Sequence, residues 1–495
     1  MSETVDIAII GAGFSGLGLA VRLREQGVED FVILERNADV GGTWWANTYP
    51  GCACDVPSHL YSFSFAPNPD WSRTYSPQPE IRAYLERVAR ERDLYRSIRF
   101  GTSVTGADWD DAAGRWALAT SAGPVFARVL VAAPGTLTEP SLPDLPGLGS
   151  FAGTTFHSAR WDHGHDLRGE RVAVIGTGAS AIQLVPAIQP DVAQLHVFQR
   201  TAPWVMPHTA RAIRSRERSF YRRVPAAQRA VRAGVYAGRE LLVPGFTRRP
   251  GLLKVAEQLS RRHLRDQIAD PELRARLTPD YAIGCKRILP SNRWYPALTE
   301  PNVELVTDAI REVTARAIVT ADGTERAVDT IIFGTGFRAA EIPVGHWIRG
   351  RGGELLSDAW AGSPRAHLGS TIAGFPNLFL MLGPNTGLGH SSMVYMIESQ
   401  IAYVTDALRV MRERGAAVAE VRPEVQAAYN REIDARMEHT VWSTGCSSWY
   451  QDATGRNPIL WPDWTWRFRR RTRRFDPAEH TLRAVAPAPE PAAAG

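Results

Sequence analysis

Two glycine-rich stretches and a few charged residues are the parts of this 495-residue chain best suited to chemistry. The first stretch is Gly11-Ala12-Gly13-Phe14-Ser15-Gly16, the second Gly176-Thr177-Gly178-Ala179-Ser180-Ala181. Between a strand and a helix, the first glycine of such a motif makes the tight turn. The second lets the backbone approach a pyrophosphate, and a small third residue lets the helix pack on the strand. The helix N-terminus then offers N–H groups and a positive dipole to the phosphates. The residue closing the next strand selects the nucleotide, and it lies 24 residues on in both copies (11 to 35, 176 to 200). Glu35 is a carboxylate able to accept from both ribose hydroxyls, which suits FAD. Arg200-Thr201 supplies a cation and a hydroxyl, which suits the 2′-phosphate of NADPH and disfavours NADH.

The flanking pattern provides the strand and the helix that each turn needs. Residues 5–10 are an apolar run suited to a buried parallel strand. Leu17, Ala20, Val21 and Leu23 then recur at helical spacing up to Gly27, and residues 31–35 form a second strand. The unit recurs with a strand at 172–175, a helix to about Ile188 that Pro186 should kink, and a strand at 195–199. The expected fold class is therefore α/β, with two Rossmann-like dinucleotide-binding domains, one for FAD and one for NADPH. The Arg-rich residues 208–284 read as a helical insertion in the second domain. Strands resume near 303–333 and at 376–383, followed by a helix from Ser391 to Arg412. The expected division is 1–140 and 351–480 for the FAD-binding domain, and 168–207 with 285–350 for the NADPH-binding domain. A linker at 141–167 and a disordered tail at 481–495 complete it.

Two further stretches carry a resemblance. One reads Gly41-Gly42-Thr43-Trp44, then Tyr49-Pro50-Gly51, then Asp55. The other, inside the expected linker, reads Phe151-x-Gly153-x-x-x-His157-x-x-x-Trp161-Asp162. With Lys286-Arg287, Gly334-Thr335-Gly336-Phe337 and Gly383-Pro384-Asn385, they resemble the type I Baeyer–Villiger monooxygenases over roughly residues 4–480. The resemblance implies FAD- and NADPH-dependent conversion of a ketone to an ester or lactone with O2, through a flavin peroxide. It matches Arg287 to the active-site arginine, Asp55 to its carboxylate partner, and Lys286 to the lysine that meets the NADPH phosphate. A permanent cation favours an anionic, nucleophilic oxidant and the oxyanion that follows. The chain writes nearly all its cations as Arg and keeps lysines only at 254 and 286, which adds weight to Lys286. Gly42, Thr43 and Trp44 are expected along the FAD, although Trp44-Trp45 also reads as core. Arg36, Tyr61, Val104, Gln183 and Met393 are further expected cofactor contacts. His157 and Trp161 are expected to act on conformation rather than on protons.

Composition bounds the reading without deciding it. Apolar residues at 44% and charged residues at 22% are ordinary for a soluble globular chain. Neither a signal peptide nor an 18-residue apolar run is seen, so a cytoplasmic location is expected. The net charge of +5 is an arginine skew with no nucleic-acid module, so the expected partners are a small-molecule ketone and O2. Four cysteines, two of them as Cys52-x-Cys54, make no disulfide framework, thiol-reductase pair or metal site. Tryptophans at 442, 449, 461, 464 and 466 precede the basic run Arg467–Arg474. That segment reads first as a packed cap with a solvated basic face, and alternatively as a wall of the substrate tunnel or a membrane-surface patch. Two rival functions stay open: oxygenation of sulfur or nitrogen by the same flavin chemistry, and a redox-sensing flavoprotein without turnover. Asp55, Lys286 and Arg287 argue against the second.

Overall fold

The computed structural model describes residues 3–339, 342–444, 446 and 448–484. The chain opens with β1 (Glu3–Ile10), β2 (Phe31–Leu34) and β3 (Ile98–Arg99). The four residues of β2 and the last four of β1 are buried, as expected of central parallel strands with both faces covered. β4 (Val104–Asp110), β5 (Arg115–Thr120) and β6 (Val125–Ala132) follow as an antiparallel ribbon. Next come β7 (Thr154–His157), β8 (Arg171–Ile175) and β9 (Gln194–Phe198). β10 (Val205–Met206) and β11 (Leu289–Pro290) pair at the base of the insertion. β12 (Val303–Val306), the hairpins β13 (Ile310–Val313), β14 (Ala317–Thr320) and β15 (Glu325–Ala327), and β16 (Thr330–Phe333) complete the middle of the chain. The last strands are β17 (Ile348–Arg349), β18 (Leu378–Leu380), β19 (Val418–Val421) and β20 (His480–Arg483).

Two sheets organise these strands. The first runs β17-β4-β5-β6-β1-β2-β3, with β18 also paired to β6. The second is the parallel sheet β12-β9-β8-β16-β7. One face of the first sheet is covered by the helix Phe14–Glu25, on which the helix Met393–Glu413 lies, so the chain revisits its first unit late. The insertion is helical, with helices at Ser215–Arg223, Pro225–Glu240, Val243–Thr247, Lys254–Gln267 and Pro271–Arg276.

Four features depart from the sequence reading. Thr154–His157 belongs to no free linker: β16 has an edge that β7 fills, so this stretch is the outermost strand of the second sheet. The chain rejoins the first sheet already at Ile348, which pairs with Ala107. Residues 481–483 are strand, because β20 pairs with β19, whereas residues 485–495 of the expected tail lie outside the described residues. Finally, Cys285 and Cys446 form a disulfide across 161 residues, while Cys52 and Cys54 are free and buried. A chain-entropy model assigns closure of so long a loop about 5 kcal/mol. In the C-terminal segment Trp442 and Trp461 are buried and Trp449 and Trp466 exposed, and Arg469 and Arg471 pair with Glu398 and Glu432. That is a packed cap with a partly neutralised basic face.

Candidate active site

The first turn is shaped by glycines that admit no side chain. Gly11 has φ +100°, and a Cβ there would lie 2.6 Å from the Ala133 carbonyl oxygen. A Cβ on Gly16 would lie 2.0 Å from the Gly11 carbonyl oxygen. The helix Phe14–Glu25 starts at Gly13 without a side-chain cap, unlike Met393–Glu413, where Ser392 accepts from the Val394 N–H. An uncapped N-terminus that carries no acid in its first turn suits a phosphate. Glu35 is buried (4% exposed) beneath it. Its Oε2 accepts from the Ala12 N–H at 2.7 Å, and its Oε1 accepts from the backbone and side-chain N–H groups of Asn37 at 2.8 and 2.6 Å. Since a carboxylate offers about four acceptor positions, Glu35 retains capacity for a ribose hydroxyl.

The other expected first-turn residues gather nearby. The Gly41–Trp44 loop crosses the turn so closely that a Cβ on Gly42 would lie 2.9 Å from Gly13 Cα. Thr43 begins the short helix Thr43–Ala46. Trp44 Nε1 donates to the Tyr61 hydroxyl at 3.1 Å, and Phe14 meets the Tyr61 ring edge-on at 5.2 Å. Phe14 and Ser15 are buried in the first turn of their helix. Val104 opens β4 just after Thr102, whose N–H donates to the Glu35 carbonyl. Met393 opens the helix that packs along Phe14–Glu25. Arg36 is exposed and paired with Glu139 at 3.1 Å.

The second turn has the same skeleton with different chemistry. Gly176 has φ +109°, and a Cβ there would lie 2.5 Å from the Gly334 carbonyl oxygen. Gly334 in turn meets Ala181, which is fully buried, so the Gly334–Phe337 segment closes on the turn. Around the Cβ position of Gly178 the space is open to 4 Å, and no side chain caps the helix Ala181–Ile188 at Ser180. Thr177 Oγ1 donates to the Thr201 carbonyl at 3.1 Å, tying the turn to the strand end. Arg200 is exposed there. Lys286 sits with its ammonium 4.8 Å from the Tyr281 ring centroid. Burial and then the Arg200 charge push its pKa below the ordinary lysine value, against the pull of Asp280. Two cations that disfavour each other suit a shared anion.

Between the two turns, Gly51 (φ +82°) approaches the second helix so closely that a Cβ would lie 2.6 Å from the Gln183 carbonyl oxygen. Gln183 Oε1 accepts from the Tyr49 hydroxyl at 3.0 Å and the Ala53 N–H at 3.2 Å, and its Nε2 donates to the Ala53 carbonyl at 3.0 Å. Two residues on, Asp55 accepts from Arg287 Nε at 2.8 Å and from its second nitrogen at 2.6 Å, a two-bond pair with both side chains partly buried. Burial pushes the Asp55 carboxyl up, but the Arg287 charge, its hydrogen bonds and the charge of Arg239 outweigh it and hold the group below its usual range. The Asp55 charge, opposed by burial, raises Arg287 further above its already high value. Both groups are therefore ionised at any working pH.

The second fingerprint has a structural explanation. A Cβ on Gly153 would lie 2.2 Å from the Asp329 carbonyl oxygen, so the edge strand needs glycine there. His157 Nδ1 accepts from the Ala159 N–H, and burial lowers its pKa to about 4, so it is neutral and poorly placed for proton transfer near pH 7. Trp161 packs edge-on against Phe156 at 5.0 Å. Sequence reasoning missed Tyr49, which orients Gln183, and Tyr450, a phenol that burial pushes up to about 12, against the pull of the Arg287 charge, and so keeps neutral. Tyr49 lay inside the Tyr-Pro-Gly motif, whereas nothing local marked Tyr450. Among the described residues, no group of three or more His, Cys, Asp or Glu is placed to hold a metal.

Residues 4–225 match the model of a family described as flavin-binding monooxygenase-like. A Baeyer-Villiger monooxygenase of Streptomyces coelicolor is 52% identical over 488 residues, covering 98% of this chain and 94% of the relative. The chain belongs to the Baeyer–Villiger monooxygenases. Solved structures agree with this family. Cyclohexanone monooxygenase from Rhodococcus sp. Phi1 bound to NADP+ superposes with a TM-score of 0.87 at 30% identity, covering 98% of this chain and all of that one. Oxidized steroid monooxygenase bound to NADP superposes with a TM-score of 0.86 at 33% identity, covering 97% and 99%. The α/β fold with two dinucleotide-binding units is thus that of a Baeyer–Villiger monooxygenase.

Proposed function

We propose that this chain inserts one atom of O2 beside the carbonyl of an apolar ketone to give an ester or lactone, with FAD on the Gly11 turn and NADPH on the Gly176 turn. The observation that carries the reading is the two-bond Arg287–Asp55 pair, set two residues beyond the Gln183 contact that joins the turns. The bound flavin, once reduced by NADPH, supplies the activated oxygen.

The chain's own residues supply position and charge. Glu35 takes the FAD ribose, and the uncapped helix start at Gly13 takes the pyrophosphate. Arg200 and Lys286 hold the NADPH 2′-phosphate. Asp55 fixes the plane of the Arg287 guanidinium, and Arg287 stabilises negative charge developing on oxygen during the insertion. Such an oxyanion contact contributes about 3 to 4 kcal/mol to the rate. We assign residues 1–140 and 348–480 to FAD binding, 168–207 and 285–347 to NADPH binding, and 208–284 to the helical insertion.

NADPH consumption against a panel of ketones and sulfides, with product mass analysis, tests the reading. A product one oxygen heavier that fragments as an ester is expected. Sulfoxides from the sulfides with no ester from any ketone would replace carbon–carbon insertion by heteroatom oxygenation.

A further inference from the structure

The helical insertion carries an apolar surface that its fold does not need. In the helix Lys254–Gln267, Ser260, His263 and Leu264 are buried, and Leu253 just before it is also buried, so one stripe already faces the core. A second apolar stripe, Leu252, Val255 and Leu259, recurs at helical spacing on the outside, with Val255 73% exposed. Leu241 (75% exposed) and Leu242 are further exposed leucines of the insertion. Residues 241–256 contain Arg248, Arg249 and Lys254 and not one acid. All three cations are exposed.

The C-terminal cap continues this surface. The buried Glu240 carboxylate accepts from the Thr465 N–H at 3.0 Å and its hydroxyl at 2.7 Å, so the insertion and the cap are joined at the residues that precede Leu241 and Trp466. Arg248 lies 3.8 Å from Asp463. Trp466 is exposed, Arg467 lies 5.3 Å from its ring centroid, and Arg470 is exposed on the same short helix.

We propose that this face docks the enzyme on an anionic lipid surface, with the leucines, Val255 and Trp466 entering the headgroup boundary and the cations meeting lipid phosphates. A leucine-rich patch with tryptophan and a mainly cationic rim, in which the one acid between Val255 and Leu259, Glu257, is paired with Arg261 at 2.9 Å, is what such an interface takes up. A second copy of the chain would press like charges together. Leu253, next to Leu252, and Phe246 are the side chains that a Cβ on Gly284 would meet at 2.9 Å, so the patch packs on the segment that leads into Lys286-Arg287.

Co-sedimentation of the full-length holoenzyme with vesicles tests this. At low salt the protein should pellet with phosphatidylcholine vesicles containing phosphatidylglycerol and stay largely in solution with phosphatidylcholine alone. The double variant Leu252→Asp/Val255→Asp should abolish binding, and Arg249→Glu should weaken it at least about fivefold. Both variants should keep the wild-type melting temperature and turnover of a water-soluble ketone. Failure to pellet with anionic vesicles at low salt would overturn the proposal. So would a dimer, seen by sedimentation velocity, that Val255→Asp dissociates in a protein that ignores vesicles.

Discussion

The two glycine turns share a skeleton yet treat their surroundings in opposite ways. At the first, the selecting residue is a buried carboxylate that the protein already engages through Ala12 and Asn37. At the second it is an exposed arginine, reinforced by a lysine from the far side of the insertion that feels its charge. A buried, pre-oriented group suits a ligand that stays, because it is fixed in its accepting geometry beforehand and loses little order on binding. Exposed cations bind a phosphate that solvent can also reach, so the ligand can exchange every cycle. On the proposed reading, one supersecondary unit would serve a resident cofactor and a visiting one, and the burial of the selecting side chain is one difference between the two turns.

The sharpest way to break this contrast is at the group that belongs to neither turn. Arg287→Ala should cut ester formation by 10²-fold or more, with roughly 3 kcal/mol of oxyanion stabilisation removed, while NADPH still bleaches the flavin. Stopped-flow absorbance with product analysis separates the two steps, and ester formation near the wild-type rate would remove Arg287 from the chemistry. Next comes the resident site. Glu35→Ala should lose about 10²-fold in FAD affinity and purify largely without flavin, because Ala12 and Asn37 lose their buried acceptor as well. Full flavin occupancy in that variant, read from its visible spectrum, would show that burial of Glu35 is not what retains the cofactor.

The visiting site should respond more mildly. Arg200→Ala should raise the NADPH KM about 10- to 100-fold and leave the NADH value nearly unchanged, as expected for one charge-assisted contact of about 1.5–3 kcal/mol. Equal effects on both nucleotides would detach Arg200 from the 2′-phosphate. The smallest effect concerns pH and the second sheet alone. Burial lowers the His157 pKa from 6.5 to about 4, so the folded state resists protonation more than the unfolded chain. The stability this residue allows is complete above pH 6.5 and is lost as pH falls toward 4, amounting to about 2 kcal/mol by pH 5. His157→Asn should flatten that part of the thermal-unfolding profile, and an unchanged profile would place the acid sensitivity elsewhere.

Much of the site was written in short-range spacing. The 24-residue interval from glycine to Glu35 and to Arg200 reads directly off the chain, because strand and helix lengths in this unit are fixed by sheet geometry. Asp55 and Arg287 were legible only through resemblance, since nothing local says that residues 232 positions apart share two hydrogen bonds. The antiparallel ribbon β4–β6 went unread even though Val104–Asp110 alternates between buried and exposed, a period-two signal available in the sequence. The strand at Thr154–His157 was hidden for a different reason. Its identity as a strand depends on the open edge of β16, and pairing across a sheet leaves no trace in a single short segment. The Cys285–Cys446 bond was equally invisible, because two cysteines far apart in a chain give no hint of their meeting.

The contact at Gly51 has a mechanical consequence. Where a backbone touches a neighbouring carbonyl with no room for a methyl group, and Ala53 and Gln183 exchange two hydrogen bonds beside that point, one segment cannot slide along the other without breaking all three contacts. The loop from Gly51 to Asp55 is therefore pinned to the second helix at one point, and the Asp55–Arg287 pair stands two residues from that pin. On the proposed reading, the arginine that the chemistry would need held still is anchored where the segments of the two glycine turns meet.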